Sequence, residues 1–455
     1  MLSILTVYGS VTLLAWLNLP LWRATAHLHR GAAREQRPNA ADCGSGIARL
    51  LVFVITGWLS WWLAAAGAGQ AAFVLAAMLM VLIGGAGWWR DYRATWAWLR
   101  THWRHLLFIE TLGLAIYLAL LLFRGWTADI TTIEKYTNLA IINSIGLSPA
   151  VPPPNAWFGG HPLNYYYLGH WMLALLSQIS RLPPNNLVIF ATPLLAAMCA
   201  QACVTIIATL NPAHYRRWSL LAVFLLLVCG SWNETVHGLM HWPAEWQRSF
   251  FQSQIPNPII DDLAPNGYLF EFPAVSLLWG EMHAHALGLP LILAVLALLA
   301  RHYSAPPTET LRTAVVAALT ATLVGIGYAV NSWQYPPLLA FCLLVHWWHW
   351  WHVQRTPIWR PLLFTALFIG IGLLAIAPFL LSFTPFAPPP PAESGLQPLP
   401  FIPGGMLVWS PVGTPLMSLL LAIGLPLLLA GAAALALLER HDWRWGFAWA
   451  AAGVG

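Results

Sequence analysis

Long apolar segments recur along the whole chain, and they limit its fold more than any other feature. The 455 residues are 59% hydrophobic and only 8% charged. Because a membrane-crossing helix needs roughly 20 mostly apolar residues, the segments predict about twelve spans. Such a low fraction of charged residues excludes a soluble domain of this size. We therefore expect an all-α polytopic protein of the cell membrane, in contact with the lipid bilayer. The candidate spans are residues 3–21, 47–66, 70–89, 105–123, 164–181, 186–209, 218–231, 275–300, 313–330, 336–352, 361–382 and 414–437.

The remaining bulk features narrow the class further. The net charge of +5 reflects arginines in short loops, so we expect no nucleic-acid partner. The five cysteines form neither a disulfide framework nor a CxxC zinc pattern. The last residues, Trp443 to Gly455, are apolar again, and we expect the chain to be cut inside a further span.

Arginine placement predicts which side of the membrane each loop faces, because cytoplasmic loops carry an excess of Lys and Arg. Loops 22–49 and 90–104 are rich in arginine, which places loop 124–163 on the outer face. Counting back from Arg440 and Arg444 at the other end of the chain places the segment Glu281–His285 on the outer face as well. Two separate counts therefore put both polar segments on one side.

The two counts disagree in the middle of the chain. Three candidate spans lie between residues 164 and 275, whereas the flanking polar regions require an even number of crossings. We expect either a broken element within residues 164–209 or an interfacial helix within residues 232–273.

The first polar segment holds two carboxylates just after the span 105–123. Asp129 and Glu134 are either solvated loop residues or a site in which one acts as general base and the other binds a metal ion or a substrate hydroxyl. Lys135 offers a point charge for a phosphate group. We include Asn138 with Lys135 among the candidate substrate-binding residues.

The same segment ends in a proline-, glycine- and tyrosine-rich run from Pro152 to Tyr167. The prolines predict an extended, stiff stretch, and Gly159-Gly160 permits positive φ or a close approach to a ligand. The tyrosines form either an aromatic belt or the lining of a pocket for a sugar or lipid headgroup. The candidate pocket residues are His161, Asn164, Tyr165, Tyr166 and Tyr167.

A second group of polar residues precedes the span 275–300. Glu281, His283 and His285 could bind a divalent metal ion (Mg²⁺, Mn²⁺ or Zn²⁺), bind phosphate oxygens or shuttle a proton. Trp333 and Gln334 lie in a short outer turn that is either a helix cap with a proline turn or a further part of the substrate site.

Charged residues in the middle of candidate spans are nearly absent, and Glu110 is the main exception. Ion-coupled transporters normally carry such residues, whereas here the polar residues collect in outer loops. The distribution favours an enzyme at the membrane surface. A transporter, flippase or scaffold subunit is the alternative.

The motifs together resemble one family. The segments Asp129–Lys135, Asn143-Ser144, Gly160–Tyr167 and Gly280–His285 are similar to the "YYY" membrane proteins of the DUF2298 family, over roughly residues 124 to 335. The layout of that family looks like the GT-C membrane glycosyltransferases, which place an acidic catalytic residue in a long first outer loop and use polyprenyl-phosphate sugars.

The resemblance implies a division of the chain and a reaction. Residues 1–104 are expected to be extra N-terminal helices, 105–335 a GT-C-like core with outer loops 124–163 and 232–285, and 336–455 C-terminal helices. The implied reaction is inverting transfer of a sugar from a polyprenyl-phosphate donor to a hydroxyl of a glycan, lipid or protein acceptor. Asp129 or Glu134 would be the base.

Overall fold

The computed structural model describes residues 2–28, 44–126, 135–227, 276–277, 280, 282–304, 310–353, 355–383, 397–398 and 408–409. Nearly all of these residues are helical. The helices are α1 (Leu2–Leu17), α2 (Leu19–Leu28), α3 (Ser45–Ala65), α4 (Ala71–Trp126), α5 (Lys135–Leu147), α6 (Leu168–Ser180), α7 (Pro184–Leu210), α8 (Tyr215–Leu227), α9 (Ala284–Ser304), α10 (Thr310–Val330), α11 (Tyr335–Trp348), a π-helical turn (His349–Val353), α12 (Trp359–Ala375) and α13 (Ala377–Ser382).

The chain divides into two compact units. The first consists of residues Met1–Val228 and Ser276–Ser382 and contains all of these helices. The second consists of Cys229–Val275 and Phe383–Gly455. Its described part is a short antiparallel pair of strands, β1 (Gln397–Pro398) and β2 (Val408–Trp409).

Four of the described helices are long and apolar enough to cross a membrane. They are Ser45–Ala65, Ala71–Gly125, Pro184–Leu210 and Ala284–His302, and shorter apolar helices cover Thr6–Leu17, Ala314–Val330 and Trp359–Ala375. The described residues are therefore almost entirely helical, and the protein is a multi-pass membrane protein. The predicted number of twelve spans is not reached among the described residues, and the candidate span 414–437 lies outside them.

Helix α7 forms the centre of the first unit. It packs against α3, α4, α8 and α9, and most of its side chains are buried. A helix that is apolar on all sides is stable only when other helices or lipid cover every face. It begins with Pro184 in its first turn, where the missing N–H of proline costs no hydrogen bond.

Two predicted spans lie in α4, which consists of two helical segments that meet at a kink at Asp91. The sequence places a loop at residues 90–104 between spans 70–89 and 105–123, but α4 runs through all three segments. Its regular geometry is interrupted at Asp91, with φ −138° and ψ 25°, where the side chain forms an ion pair with Arg23 of α2. Leu, Trp, Ala and Arg are good or acceptable helix formers, so this arginine-rich stretch stays helical although it is polar.

Other predicted boundaries also move. The span 3–21 is interrupted at Asn18, whose side-chain amide donates to the Leu14 carbonyl at the end of α1. Within the predicted span 164–181, the helix begins only at Leu168, so the three tyrosines precede it instead of radiating from it. Helix α6 has 13 residues, fewer than the roughly 20 that one crossing requires.

An ion pair lies between the helices of this unit. Arg49 of α3 bonds Glu110 of α4 at 2.5 Å, Gln201 of α7 at 2.6 Å and the hydroxyl of Tyr8 in α1 at 3.0 Å. The sequence assigns Arg49 to a cytoplasmic loop, but it is a buried residue of α3 that is 3% exposed. One guanidinium, with its fixed fork of donors, thus joins four helices.

Candidate functional site

Lys135 and Asn138 occupy the first turn of α5 and are both buried, at 2% and 1% exposure. They lie three residues apart, so they share a face of the helix. Asp129 and Glu134, the predicted catalytic carboxylates, lie outside the described residues. The segment that holds them is flanked by Arg124 at the end of α4, which is fully buried, and by Lys135.

The first turn of α6 meets the first turn of α5. His170 is fully buried, and its Nε2 atom lies 2.8 Å from Oδ1 of Asn138. Because an amide oxygen only accepts, Nε2 is the donor in this hydrogen bond. The ring of Tyr165, in the tyrosine run, lies 6.0 Å from the His170 ring.

The segment that precedes α9 approaches the same place. The His170 imidazole lies beside the backbone of Met282 and interacts electrostatically with His283. The rings of His283 and His285 are 5.0 Å apart. This contact joins the two polar segments that the sequence places far apart along the chain.

Gly280 provides a second contact between the two segments. A Cβ atom at this position would overlap with the guanidinium group of Arg124, and the residue has φ +73°. Only glycine adopts that backbone conformation readily and leaves room for the arginine. Arg124 and the residues before α9 are therefore in direct contact.

Two further side chains hold His285. Its Nε2 atom shares a hydrogen bond of 2.7 Å with Oγ of Ser276. The amide of Gln334, at the start of α11, donates to the His285 carbonyl at 3.2 Å. Gln334 also packs directly over Gly288 one turn into α9.

These residues form one polar cluster in the first unit, in which Arg124, Lys135, Asn138, His170 and Ser276 are buried and His283, His285 and Gln334 are half-buried. We refer to it below as the polar cluster, and it consists of Arg124, Lys135, Asn138, His170, Ser276, Gly280, His283, His285 and Gln334. Most of its members lie in or next to the first turn of α5, α6, α9 or α11. The N-terminal ends of four helices therefore meet there, and each contributes partial positive charge.

The proline-rich loop before α6 is closed and well connected. Leu163 donates to the carbonyl of Pro153 at 2.8 Å, and Asn155 donates to that of His161 at 2.9 Å. Gly160 has the positive φ that the sequence predicts, at +81°. Ser144 of α5 donates to the Pro154 carbonyl at 2.6 Å, which attaches the loop to the cluster's own helix.

The other predicted site residues range from exposed to fully buried. The side chains of His161 and Asn164 are exposed, and Trp333 is 67% exposed. Tyr166 stacks on Tyr165 with ring centres 4.2 Å apart. Tyr167 is fully buried and packs on Phe379 of α13 at 5.8 Å, which makes it part of the core.

Arg124, His170 and Ser276 are cluster members that the sequence motifs did not single out. Arg124 is a charged residue at the end of an apolar segment, and His170 is an isolated histidine within one. Burying such groups is costly without partners, and this cost is the signal that could have identified both.

The described residues do not complete the predicted metal site. Glu281 lies outside them, and one ring nitrogen of His285 is already used by Ser276. Within the described parts of the chain, no group of three His, Cys, Asp or Glu side chains surrounds one point as a metal ion requires. The metal site at Glu281, His283 and His285 remains a prediction.

The fold and the cluster define a class: a multi-pass helical membrane protein with a polar site assembled at the ends of its helices. The family described as "Uncharacterized membrane protein (DUF2298)" matches residues 55–454. The chain belongs to this family, as its sequence motifs indicate. Neither the curated proteins nor the solved structures gave a match.

Proposed function

We propose that the protein is a membrane glycosyltransferase that transfers a sugar from a polyprenyl-phosphate donor to a hydroxyl acceptor at the extracytoplasmic face. One observation carries the proposal: the segment around Lys135 and the segment around His285 meet in one polar cluster. An enzyme active site requires that such distant chemical groups converge within a few ångströms.

The charge of the cluster suits a phosphate-bearing donor. Arg124 and Lys135 are cations buried in apolar surroundings, and the first turns of four helices add partial positive charge. A polyprenyl phosphate leaves with a developing negative charge on its oxygen. Preorganised positive charge in a water-poor site stabilises that charge in the transition state.

The reaction needs a base as well as a cationic site. Asp129 or Glu134 accepts the proton of the acceptor hydroxyl while its oxygen attacks the anomeric carbon from the side opposite the phosphate. The bond from the anomeric carbon to the phosphate oxygen breaks, and the oxygen keeps both electrons. The configuration at the anomeric carbon is inverted. A positioned general base contributes about 10² to 10⁴ in rate.

Reconstituted protein tests the proposal directly. In liposomes that contain radiolabelled polyprenyl-phosphate sugars and lipid-linked acceptors, the wild type releases polyprenyl phosphate and forms a glycosylated product. We expect Asp129→Asn or Glu134→Gln to slow this release by at least about 100-fold. Asp91→Asn is the matched control, because Asp91 is a 40% exposed residue that pairs with Arg23, away from the cluster residues in sequence.

The same liposomes distinguish the alternative functions. A transporter or flippase moves the intact lipid-linked sugar between leaflets and releases no polyprenyl phosphate, and a scaffold subunit does neither. The glycosyltransferase proposal is wrong if both carboxylate variants retain full sugar transfer. It is also wrong if the wild type moves the donor between leaflets without cleaving it.

A further inference from the structure

Three histidines gather at the end of α9 that is opposite the polar cluster. His302 lies in the last turn of α9, His346 in the last turn of α11, and His349 begins the π-helical turn. All three are buried, with exposures of 1%, 0% and 1%. His285 and His302 are 17 positions apart in α9, which corresponds to about 26 Å at 1.5 Å per residue.

The ring of His302 lies close to each of the other two rings. The ring centre of His302 lies 4.8 Å from that of His346 and 4.7 Å from that of His349. Two imidazoles on one metal ion, each with a nitrogen about 2.0–2.1 Å away, hold their ring centres about 5 Å apart. The observed separations match this value.

The two ring nitrogens of His346 are buried and unsatisfied. Neither of its ring nitrogens has a hydrogen-bond partner among the described residues, and its neighbours Phe364 and Phe368 offer none. A neutral imidazole always carries one N–H and one lone pair, and buried polar atoms are nearly always satisfied. A metal ion would use the lone pair that the protein leaves idle.

The local backbone favours a cation. Both α9 and α11 end at these histidines, and the C-terminal end of a helix carries partial negative charge. The π-helical turn that starts at His349 is a rare backbone form that is concentrated at functional sites. Ring nitrogen ligands suit zinc, nickel and copper, and they do not suit magnesium or calcium.

We propose that His302, His346 and His349 bind one divalent transition-metal ion, with Zn²⁺ as the preferred ion. Three protein ligands leave one coordination position open, which water or an exogenous ligand can fill. The imidazoles are not yet arranged around one point in the described residues, so binding requires that the rings rotate about their side-chain torsions. The proposal is independent of the polar cluster and of glycosyl transfer.

Metal titration of the purified full chain tests this site. After chelation and dialysis, wild-type protein in nanodiscs is titrated with Zn²⁺, and the bound metal is counted by mass spectrometry. Co²⁺ in place of Zn²⁺ gives visible absorption bands that report tetrahedral nitrogen ligation. We expect one tight equivalent in the wild type, and affinity at least about 100-fold weaker in His302→Ala and in His346→Ala, as expected for loss of a direct ligand.

Two control variants locate the bound ion. His214→Ala removes an exposed histidine, and His283→Ala/His285→Ala removes the histidines of the polar cluster. Both controls should keep the equivalent that His302→Ala and His346→Ala lose. The proposal is overturned if the wild type binds no tight equivalent, or if the equivalent is lost only in the His283/His285 variant. Should His346→Ala not fold, the Co²⁺ spectrum of the wild type decides alone, because a spectrum without nitrogen-ligated tetrahedral bands refutes the site.

Discussion

The ion pair between Arg49 and Glu110 yields a prediction about stability with unequal costs for its two partners. The side chain of Arg49 is 3% exposed, whereas that of Glu110 is 32% exposed. Removing the carboxylate leaves a buried guanidinium without a counter-charge. Removing the guanidinium leaves a carboxylate that water can reach, but it also removes the hydrogen bonds to Gln201 and Tyr8. The two single variants should therefore differ.

The burial and the hydrogen bonds of each group set the expected magnitudes. Glu110→Leu should lower the free energy of unfolding by about 3–5 kcal/mol, the usual cost of a buried charge that has lost its partner. Arg49→Met should cost more, about 4.5 kcal/mol or above, because it loses three hydrogen bonds of a charged group at about 1.5–3 kcal/mol each. The double variant should be within about 2 kcal/mol of the wild type, because well-packed apolar side chains commonly replace a buried pair without loss.

Reversible unfolding in mixed detergent micelles, followed by the fluorescence of the 28 tryptophans, measures these differences. Asp91→Asn is the control, because the pair of Asp91 with Arg23 is partly exposed and such pairs contribute about 1 kcal/mol or less. The diagnostic result is a double variant that is more stable than Glu110→Leu alone. Costs that simply add, or equal costs for the two single variants, would refute the reasoning.

Gly280 of the polar cluster and Gly288, which contacts Gln334 of the cluster, give further predictions. Gly146→Ala is the control and should gain about 0.5–1 kcal/mol, because its α5 position has open space around it. Gly280→Ala should cost at least about 1–2 kcal/mol from its left-handed backbone and displace Arg124; unchanged stability in the micelle assay would contradict this contact. Gly288→Ala should change stability by less than about 1 kcal/mol, because the helix-propensity gain offsets the lost hydrogen bond of Gln334, yet it should slow sugar transfer in the liposome assay. Full transfer activity in this variant would mean that Gln334 does not position the cluster.

The class of fold was predictable because it depends on composition and on the length of apolar segments. Helices α3, α7 and α10 begin and end close to the predicted spans. The errors occur where polar residues are helical. A helix break does occur at Asp91, but residues 92–104 of the predicted loop are helical, since hydropathy separates apolar from polar segments and cannot separate a helix from a loop.

The candidate site was predictable in part for a related reason. Lys135, His283 and Gln334 stand out in the sequence because each lies in a polar segment, beside a carboxylate, a glycine or a proline. Arg124 and His170 do not stand out, since Arg124 is a single charge at the end of one predicted span and His170 is an isolated histidine within another. Their importance depends on which helix ends meet, and that is a property of tertiary packing.

The ion pair of Arg49 and Glu110 also bears on whether the protein is a transporter, which is the alternative function. The sequence argued against transport because Glu110 was the main ionisable residue within a candidate span, and Arg49 now lies inside the unit beside it. An ion-carrying carboxylate must gain and lose its charge during the cycle. The Glu110 carboxylate is bonded at 2.5 Å to a guanidinium that also bonds Gln201 and Tyr8, so its release would leave that guanidinium buried without a counter-charge. The pair thus fits a fixed joint between helices, and the polar cluster around His170 is the better candidate for chemistry.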